Sequence, residues 1–268
     1  MILKLLKLEW SKFRKNSVIT LLFVFFALFF PLSLYFGSIL DTVSEHVPMK
    51  VNILSAPLIW DYLGYAGNWI VFFFLGVLMI YTVTIDVQNK TMRQNIITGM
   101  TRTDYFLSKF LITLVLATVA TVYYLVLSIV IGWLNTKGAS FSSIMNNDLA
   151  IPRFWLMSFG YLNFALFLAF LIRKAGIAVF TYLSYILIVE PLIKNRAKSY
   201  LPDSEVMNFL PLNAMEDLMP LPIFKMAEGL TSESAEYLLT YGQAGIATVI
   251  YTTIFIFIGN RIFLNKDM

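Results

Sequence analysis

The 268-residue sequence contains no cysteine and only one histidine. Without cysteine the chain can form no disulfide, no thiolate metal site and no cysteine nucleophile. A serine–histidine pair or a histidine-based metal site also has little to be built from. The phosphate-binding loop G-x-x-x-x-G-K-[ST] is absent, as are H-E-x-x-H and G-x-S-x-G. These absences exclude ATP hydrolysis through a phosphate-binding loop and leave the common hydrolase mechanisms without their residues.

Charge is also scarce in this sequence. Charged residues make up 13% of the chain and hydrophobic residues 59%, whereas soluble domains are typically about 25% charged. A helix of about 20 apolar residues crosses the hydrocarbon of a bilayer. We therefore predict an all-α membrane protein with six spans, located in the uncharged or nearly uncharged runs Val18–Leu40, Tyr62–Ile85, Phe110–Thr136, Phe154–Ile172, Ala175–Val189 and Tyr237–Asn260. The fifth run reaches a spanning length only if residues 190–193 are included.

Lysine and arginine are unevenly distributed among the connecting segments. Thirteen of the 20 lie in residues 1–17, 86–109, 173–174 and 261–268, together with four of the 16 acids. Because short loops rich in Lys and Arg remain in the cytoplasm, these segments and both termini are predicted to be cytoplasmic. The basic balance of the chain therefore follows from membrane topology, and no nucleic-acid partner is expected.

Residues 1–16 are predicted to form an amphipathic helix. Lys4, Lys7, Ser11 and Arg14 recur with helical spacing on one side, and apolar residues that include Trp10 occupy the other. A basic face opposite an apolar face with tryptophan is typical of a helix lying in the membrane interface.

The loop between spans 2 and 3 carries the most structured pattern, DVQNKTMRQNIITGMTRTDYFLSK, from Asp86 to Lys109. A short helix with an apolar stripe is predicted by residues at helical spacing: Met92, Ile96 and Met100, with Ile97 beside them. Thr91 can N-cap this helix, and Gly99 is a predicted stop. Thr101-x-x-Asp104 then predicts a capping box that opens span 3.

This loop resembles the first cytoplasmic loop of ABC-2 type transporter permeases. The resemblance rests on an acid before Lys-Thr-Met-Arg, on Ile-Ile-Thr-Gly-Met-Thr-Arg, and on Phe-Leu-x-Lys where the next span opens, within a six-span layout. In that family the loop holds a coupling helix that docks on a separate ATP-hydrolysing subunit. The resemblance implies that the residues contacting the ATPase subunit are Thr91, Met92, Arg93, Ile96, Ile97, Met100 and Arg102.

The resemblance also implies partners and a location. Two ATPase subunits would bind a homodimer or heterodimer of permease subunits, and membrane lipids would surround the spans. ATP and Mg would be held by the ATPase subunits, with no cofactor in this chain. The protein would be an exporter in the bacterial cytoplasmic membrane, and its substrate would move along the dimer interface.

Residues 190–236 break the simple pattern of spans. Glu190-Pro191 is expected to interrupt and kink the fifth apolar helix, because proline removes a backbone hydrogen bond. The apolar pieces Val206–Leu212 and Leu218–Met226 are too short to span, and they indicate re-entrant or interfacial helices, as the ABC-2 resemblance also implies. Glu190 itself has two interpretations: a salt bridge to Lys194 or a helix end, or a residue of the substrate pathway.

The sequence as a whole predicts one transmembrane domain over residues 1–268, with an interfacial helix, a cytoplasmic coupling loop and an outer interfacial region. Two other classes of function remain open at this point. One is an intramembrane enzyme acting on lipids with Glu190 in its site. The other is a membrane anchor that recruits a cytoplasmic partner.

Overall fold

The computed structural model describes residues 2–14, 16–43, 52–200, 205–222 and 238–265. Throughout this part of the chain the regular structure is helical, and six helices are long and apolar enough to cross a membrane. The predicted all-α architecture with six spans is therefore confirmed.

The helices follow one another in a simple order. An N-terminal helix, Ile2–Phe13, precedes span 1, and a short helix that we call the loop helix, Thr91–Ile97, connects spans 2 and 3. Short helices at Phe141–Ile144 and Met145–Asn147 precede span 4, and others at Glu205–Phe209 and Pro211–Glu216 lie between spans 5 and 6. The six spans are Ser17–Val43, Leu58–Gln88, Arg102–Asn135, Ala150–Ile172, Ala175–Tyr200 and Tyr241–Asn265.

Span 4 is the centre of the bundle. It packs against spans 2, 3 and 6, and Ala165 and Ala169 on it are fully buried. Such small residues let neighbouring helices approach closely. Spans 1 and 5 lie at the periphery, where large apolar side chains such as Leu28 and Phe180 remain exposed, as expected of residues that face lipid.

Two spans contain a wider, π-helical turn. Val71–Gly76 lies within span 2 and Tyr185–Val189 within span 5. The second of these ends one residue before Glu190, and the helix then continues through Pro191 to Tyr200. The predicted interruption at Glu190-Pro191 is therefore wrong. Because a π-turn already departs from the regular hydrogen-bond ladder, the missing N–H of proline is accommodated without ending the helix.

One end of the bundle, which we call the termini end, gathers the N-terminal helix, the loop helix and the last turn of span 6. Phe106 of span 3 stacks on Phe170 of span 4 with ring centroids 5.4 Å apart, and Phe170 lies 4.8 Å from Phe263 of span 6. Arg102 donates to the carbonyl oxygen of Leu264 at 2.6 Å. These contacts join the start of span 3 to the ends of spans 4 and 6.

At the opposite end, residues 205–222 form what we call the inserted segment. Its helix Pro211–Glu216 packs on spans 4 and 6. A Cβ atom at Gly160 would lie 2.9 Å from Met215, and one at Gly64 would lie 2.6 Å from the sulfur of Met219. The segment therefore packs directly against glycines of spans 2 and 4, where any side chain would collide with its methionines. It is largely buried in the bundle. Residues 201–204 and 223–236 of the predicted outer region lie outside the described residues.

Candidate coupling site and polar cavity

The loop helix is positioned by its own sequence at both ends. Its N-cap is Lys90, which has the left-handed conformation (φ 58°), and Thr91 is the first residue of the helix. No side chain forms a capping hydrogen bond at this end. The prediction of Thr91 as the N-cap is therefore wrong. Because span 2 ends only two residues earlier, the left-handed turn at Lys90 is what redirects the chain.

The other end of the loop helix is a Schellman motif. The N–H of Met100 donates to the carbonyl of Asn95 at 3.0 Å, and that of Gly99 donates to Ile96 at 3.1 Å. Gly99 has φ 107°, which a residue with a Cβ atom rarely adopts. Thr101 and Asp104 then form a complete capping box at the start of span 3. The predicted stop and capping box are both confirmed, and together they fix the helix between two rigid spans.

The apolar stripe of the loop helix is largely covered by the protein itself. Met92 is only 4% exposed and belongs to the hydrophobic core, and Ile96 and Met100 pack against that core. The expectation that this stripe as a whole awaits burial by a partner is therefore wrong. Among the residues predicted to contact the ATPase subunit, Ile97, which is 77% exposed, and Arg93 are the exposed ones.

Beneath the loop helix lies a group of four charged residues, Glu9, Lys12, Asp86 and Lys109, which we call the charge cluster; Lys12 is partly exposed and the other three are buried. The ammonium of Lys109 lies 2.7 Å from Glu9 Oε2 and 2.8 Å from Asp86 Oδ2, and Lys12 lies 2.8 Å from the same Asp86 oxygen. Lys12 also contacts Glu9 Oε1 at 3.2 Å. Two acids and two bases thus balance each other, which is what burial of charge requires.

All three N–H donors of the Lys109 ammonium have acceptors close by. Its side chain is only 1% exposed, and besides the two carboxylates it donates to the carbonyl oxygen of Thr82 at 3.1 Å. Tyr105 donates its hydroxyl to Asp86 Oδ2 at 3.1 Å. The N-terminal helix, the end of span 2 and the start of span 3 are therefore tied together directly below the loop helix.

In the sequence these four residues indicated topology, and Asp86 and Lys109 also belonged to the pattern that resembles the ABC-2 loop, but no bond among the four was predicted. One signal could have indicated their role: Glu9 follows Leu5 and Leu6 by one helical turn and therefore lies on the apolar side of the N-terminal helix. A charge at such a position calls for a partner. The identity of that partner could not be read, because Lys109 is 100 residues away.

A small cavity of about 140 Å³ adjoins the charge cluster. Its walls include Asn16 and Ile19 at the start of span 1, and Asn89 and Thr91 on the connection into the loop helix. The loop helix, the N-terminal helix and span 1 therefore share one unfilled space.

Glu190 at the opposite end does not pair with Lys194 as the sequence suggested. Its Oε1 atom accepts the backbone N–H of Asn213 at 2.5 Å, at the first turn of the Pro211–Glu216 helix. Lys194 donates instead to the side-chain oxygen of Asn213. The acid therefore stabilises the amino end of a short helix from another element, where unpaired N–H groups favour negative charge.

Asn213 forms hydrogen bonds with several residues at this end of the bundle. Its amide nitrogen donates to the carbonyl of Asn208 at 2.7 Å and to Asp217 Oδ2 at 3.0 Å, and Asp217 also accepts the N–H of Leu239 at 3.0 Å. Burial raises the pKa of the Asp217 carboxyl to about 6, although the hydrogen bond from Leu239 and the positive charge of Lys194 act to lower it. Burial likewise raises the pKa of Glu216.

A cavity of about 290 Å³ opens beside this network, and we call it the polar cavity. It lies between span 4, span 5 and the inserted segment. Its lining combines two carboxylates with one ammonium, two amides, an aromatic ring and three apolar side chains: Glu190, Glu216, Lys194, Asn195, Asn213, Tyr161, Ile186, Pro191 and Leu212.

The fold and the loop helix define a polytopic α-helical membrane protein with a structured connection between its second and third spans. The family model for ABC-2 family transporter proteins matches residues 5–189. Since this match covers more than half of the chain, the protein belongs to that family and is a permease component of an ABC transporter. No curated protein matches the chain significantly. The matched residues include the charge cluster and the loop helix, and they end immediately before Glu190.

Proposed function

We propose that this permease moves its substrate, in the direction of export, when a separate ATPase subunit binds and hydrolyses ATP. The observation that carries the proposal is the loop helix: it ends in a Schellman motif, packs on the core through Met92, and still exposes Ile97 and Arg93 on the surface of the bundle. A rigid helix with one exposed apolar side chain suits a docking contact, since covering an isoleucine contributes roughly 1.5–3 kcal/mol.

The charge cluster supplies a route for the motion. A push on the loop helix reaches Asp86 at the end of span 2 and, through Lys109, span 3 and Glu9 of the N-terminal helix. Arg102, which the resemblance assigns to the ATPase contact, also donates to the carbonyl oxygen of Leu264 and links the loop to span 6. The ATPase movement would therefore be distributed to four elements of the permease at the termini end.

The assembly we propose contains two permease subunits, identical or different, and two ATPase subunits that hold ATP and Mg. The uneven distribution of Lys and Arg supports cytoplasmic termini, and with them a loop helix on the side where ATP is available. The family supports location in the cytoplasmic membrane of a bacterium. The exposed apolar faces of spans 1 and 5 supply surface for lipid and for the second permease subunit.

Copurification tests this function. The affinity-tagged permease is co-expressed in turn with each ABC-type ATPase of the same cell and purified in detergent. We expect the ATPase to be retained in equal amount by the wild type and by an Asp148→Asn control at the opposite end, where Asp148 is exposed. Failure of every ABC-type ATPase of the same cell to copurify would contradict the proposal.

A further inference from the structure

The N-terminal helix, Ile2–Phe13, has one face in the bundle and another on the surface of the protein. Glu9, which is 1% exposed, is the one acid among residues 2–14, and it bonds within the bundle. What we call the outward face consists of the side chains that are exposed: Leu3, Lys4, Lys7, Trp10, Ser11 and Arg14. Because the acid is turned inward, this face carries three positive charges and no negative charge.

Apolar and basic residues occupy separate rows of the outward face. Positions seven apart lie nearly above one another on a helix, since seven residues make almost two turns. Leu3 and Trp10, which are 81% and 68% exposed, form one row, and Lys7 and Arg14 form the row beside it. An exposed tryptophan beside a basic row is typical of a helix that lies at a membrane surface.

The charge cluster holds this helix at the level of the lipid head groups. Glu9 bonds to Lys109, the last charged residue before the long uncharged stretch of span 3. Lys12 bonds to Asp86, the first charged residue after the uncharged stretch of span 2. These two partners therefore lie where the hydrocarbon core ends. The loop helix begins after Asp86 and lies further from the hydrocarbon than the N-terminal helix does.

The outward face is the side of the N-terminal helix that lipid can reach, because Leu6 and Phe13 on the apolar side pack against the core of the bundle. We propose that the outward face binds anionic phospholipids, with Lys7 and Arg14 at the head-group phosphates and Trp10 beside the adjoining acyl chains. Basic residues close to a bilayer attract acidic lipids electrostatically. The inference needs no ATPase subunit, and it adds to the proposed function a class of lipid that the permease recognises.

Brominated lipids, which quench tryptophan on contact, test this proposal on the permease alone. Two nanodisc preparations contain equal parts of phosphatidylglycerol and phosphatidylcholine, and they differ only in which of the two lipids carries the bromine. The quenching of Trp10 is obtained as the difference between the wild type and Trp10→Phe. Because acidic lipid should collect around the two bases, we expect brominated phosphatidylglycerol to quench Trp10 at least about twofold more strongly than brominated phosphatidylcholine.

Two double variants separate the outward face from basic charge in general. Lys7→Gln with Arg14→Gln removes two charges from this face and should abolish the preference for phosphatidylglycerol. Lys90→Gln with Arg93→Gln removes two charges from the loop helix and its N-cap and should leave the preference unchanged. In phosphatidylcholine alone both double variants should unfold at the wild-type temperature, because all four side chains are exposed. High salt should weaken the preference in the wild type, since it screens charges at the surface.

Three results would each overturn the proposal. If neither brominated lipid quenches Trp10, the outward face does not lie in the membrane and faces water or a protein partner. If both lipids quench Trp10 equally, the helix lies at the membrane surface without a preference for acidic lipid. If the loop-helix variant loses the preference as fully as the outward-face variant, the whole termini end attracts the lipid and this face does not select it.

Discussion

The ammonium of Lys109 lies 2.7 Å from Glu9 Oε2, so that the third span is bonded to a helix that precedes the first. Both side chains are only 1% exposed. The N-terminal helix, which on composition alone would lie free in the membrane interface, is thereby made part of the bundle. The same lysine also bonds to Asp86, four residues before the turn that begins the loop helix.

Removal of Lys109 tests this linkage. Lys109→Met leaves Glu9 and Asp86 buried with only Lys12 between them, and breaking a buried pair in this way costs roughly 3–5 kcal/mol. We expect a lower unfolding temperature and faster proteolysis of the N-terminal helix. Adding Glu9→Gln restores one acid to one base and should recover part of the loss. The exposed Lys7→Met is the matched control, and an equal effect there would argue against the cluster.

The loop helix can be tested with two residues of opposite exposure. Ile97→Asp places a charge on a side chain that is 77% exposed, so it should leave stability unchanged but reduce copurification of the ATPase and transport. Met92→Asp places a charge in the core at a side chain that is 4% exposed, and it should lower the unfolding temperature. If Ile97→Asp transports as well as the parent, this helix is not the coupling element.

Close packing between spans 2 and 5 predicts a sensitive glycine. A Cβ atom at Gly76 would collide with the hydroxyl of the fully buried Tyr182. Gly76→Ala should therefore destabilise the protein by about 1–3 kcal/mol through overpacking, measured by thermal or denaturant unfolding.

Two further variants support the interpretation of that result. Gly245→Ala in span 6 meets no atom within 4 Å and should be neutral or stabilise by about 0.5–1 kcal/mol. Gly76→Ala combined with Tyr182→Leu should recover much of the stability, because the colliding ring is then gone. Lack of recovery would place the strain elsewhere.

Asp217 gives a pH dependence at the opposite end. Its pKa in the folded protein is about 6, above the ordinary value of 3.8, because burial disfavours the charged form. Folding therefore favours the protonated carboxyl, and the stability that this contributes is complete below pH 3.8 and is lost as pH rises through about 6. Glu216 shifts in the same direction.

We accordingly expect the unfolding temperature to decrease between about pH 4 and pH 7. Asp217→Asn removes one titrating group while keeping an oxygen for the N–H of Leu239, and its curve should be flatter over that range. A variant curve parallel to that of the wild type would show that Asp217 does not titrate as described.

Membrane orientation can be tested cleanly because the chain has no cysteine. A cysteine introduced at Lys266 should be protected from a membrane-impermeant maleimide added outside intact cells, and one introduced at Asp148 should be labelled. The expectation follows from the uneven distribution of Lys and Arg. Labelling at position 266 would show that the orientation is opposite to the predicted one, and that the loop helix does not lie on the side that holds ATP.

The sequence by itself determined the features that depend on near neighbours in the chain. Long uncharged runs were sufficient for the six spans, since a membrane helix satisfies its backbone hydrogen bonds internally. Helical spacing and Gly99 predicted the loop helix and its end, and Thr101 with Asp104 predicted the capping box, because each of these bonds closes within one turn. The ABC-2 family was likewise indicated by the residues of this one loop.

The tertiary structure decided which of these surfaces remain free. Met92 was expected to contact a partner, but the core covers it, while Ile97 five residues further stays exposed. One interpretation of Glu190 was a salt bridge to Lys194 one turn away, but Glu190 accepts the backbone N–H of Asn213 of another element. Lys109 acquires its partners from the N-terminal helix and span 2. In each case the sequence identified the side chain, but its contacts come from helices distant in the chain and depend on how those helices pack.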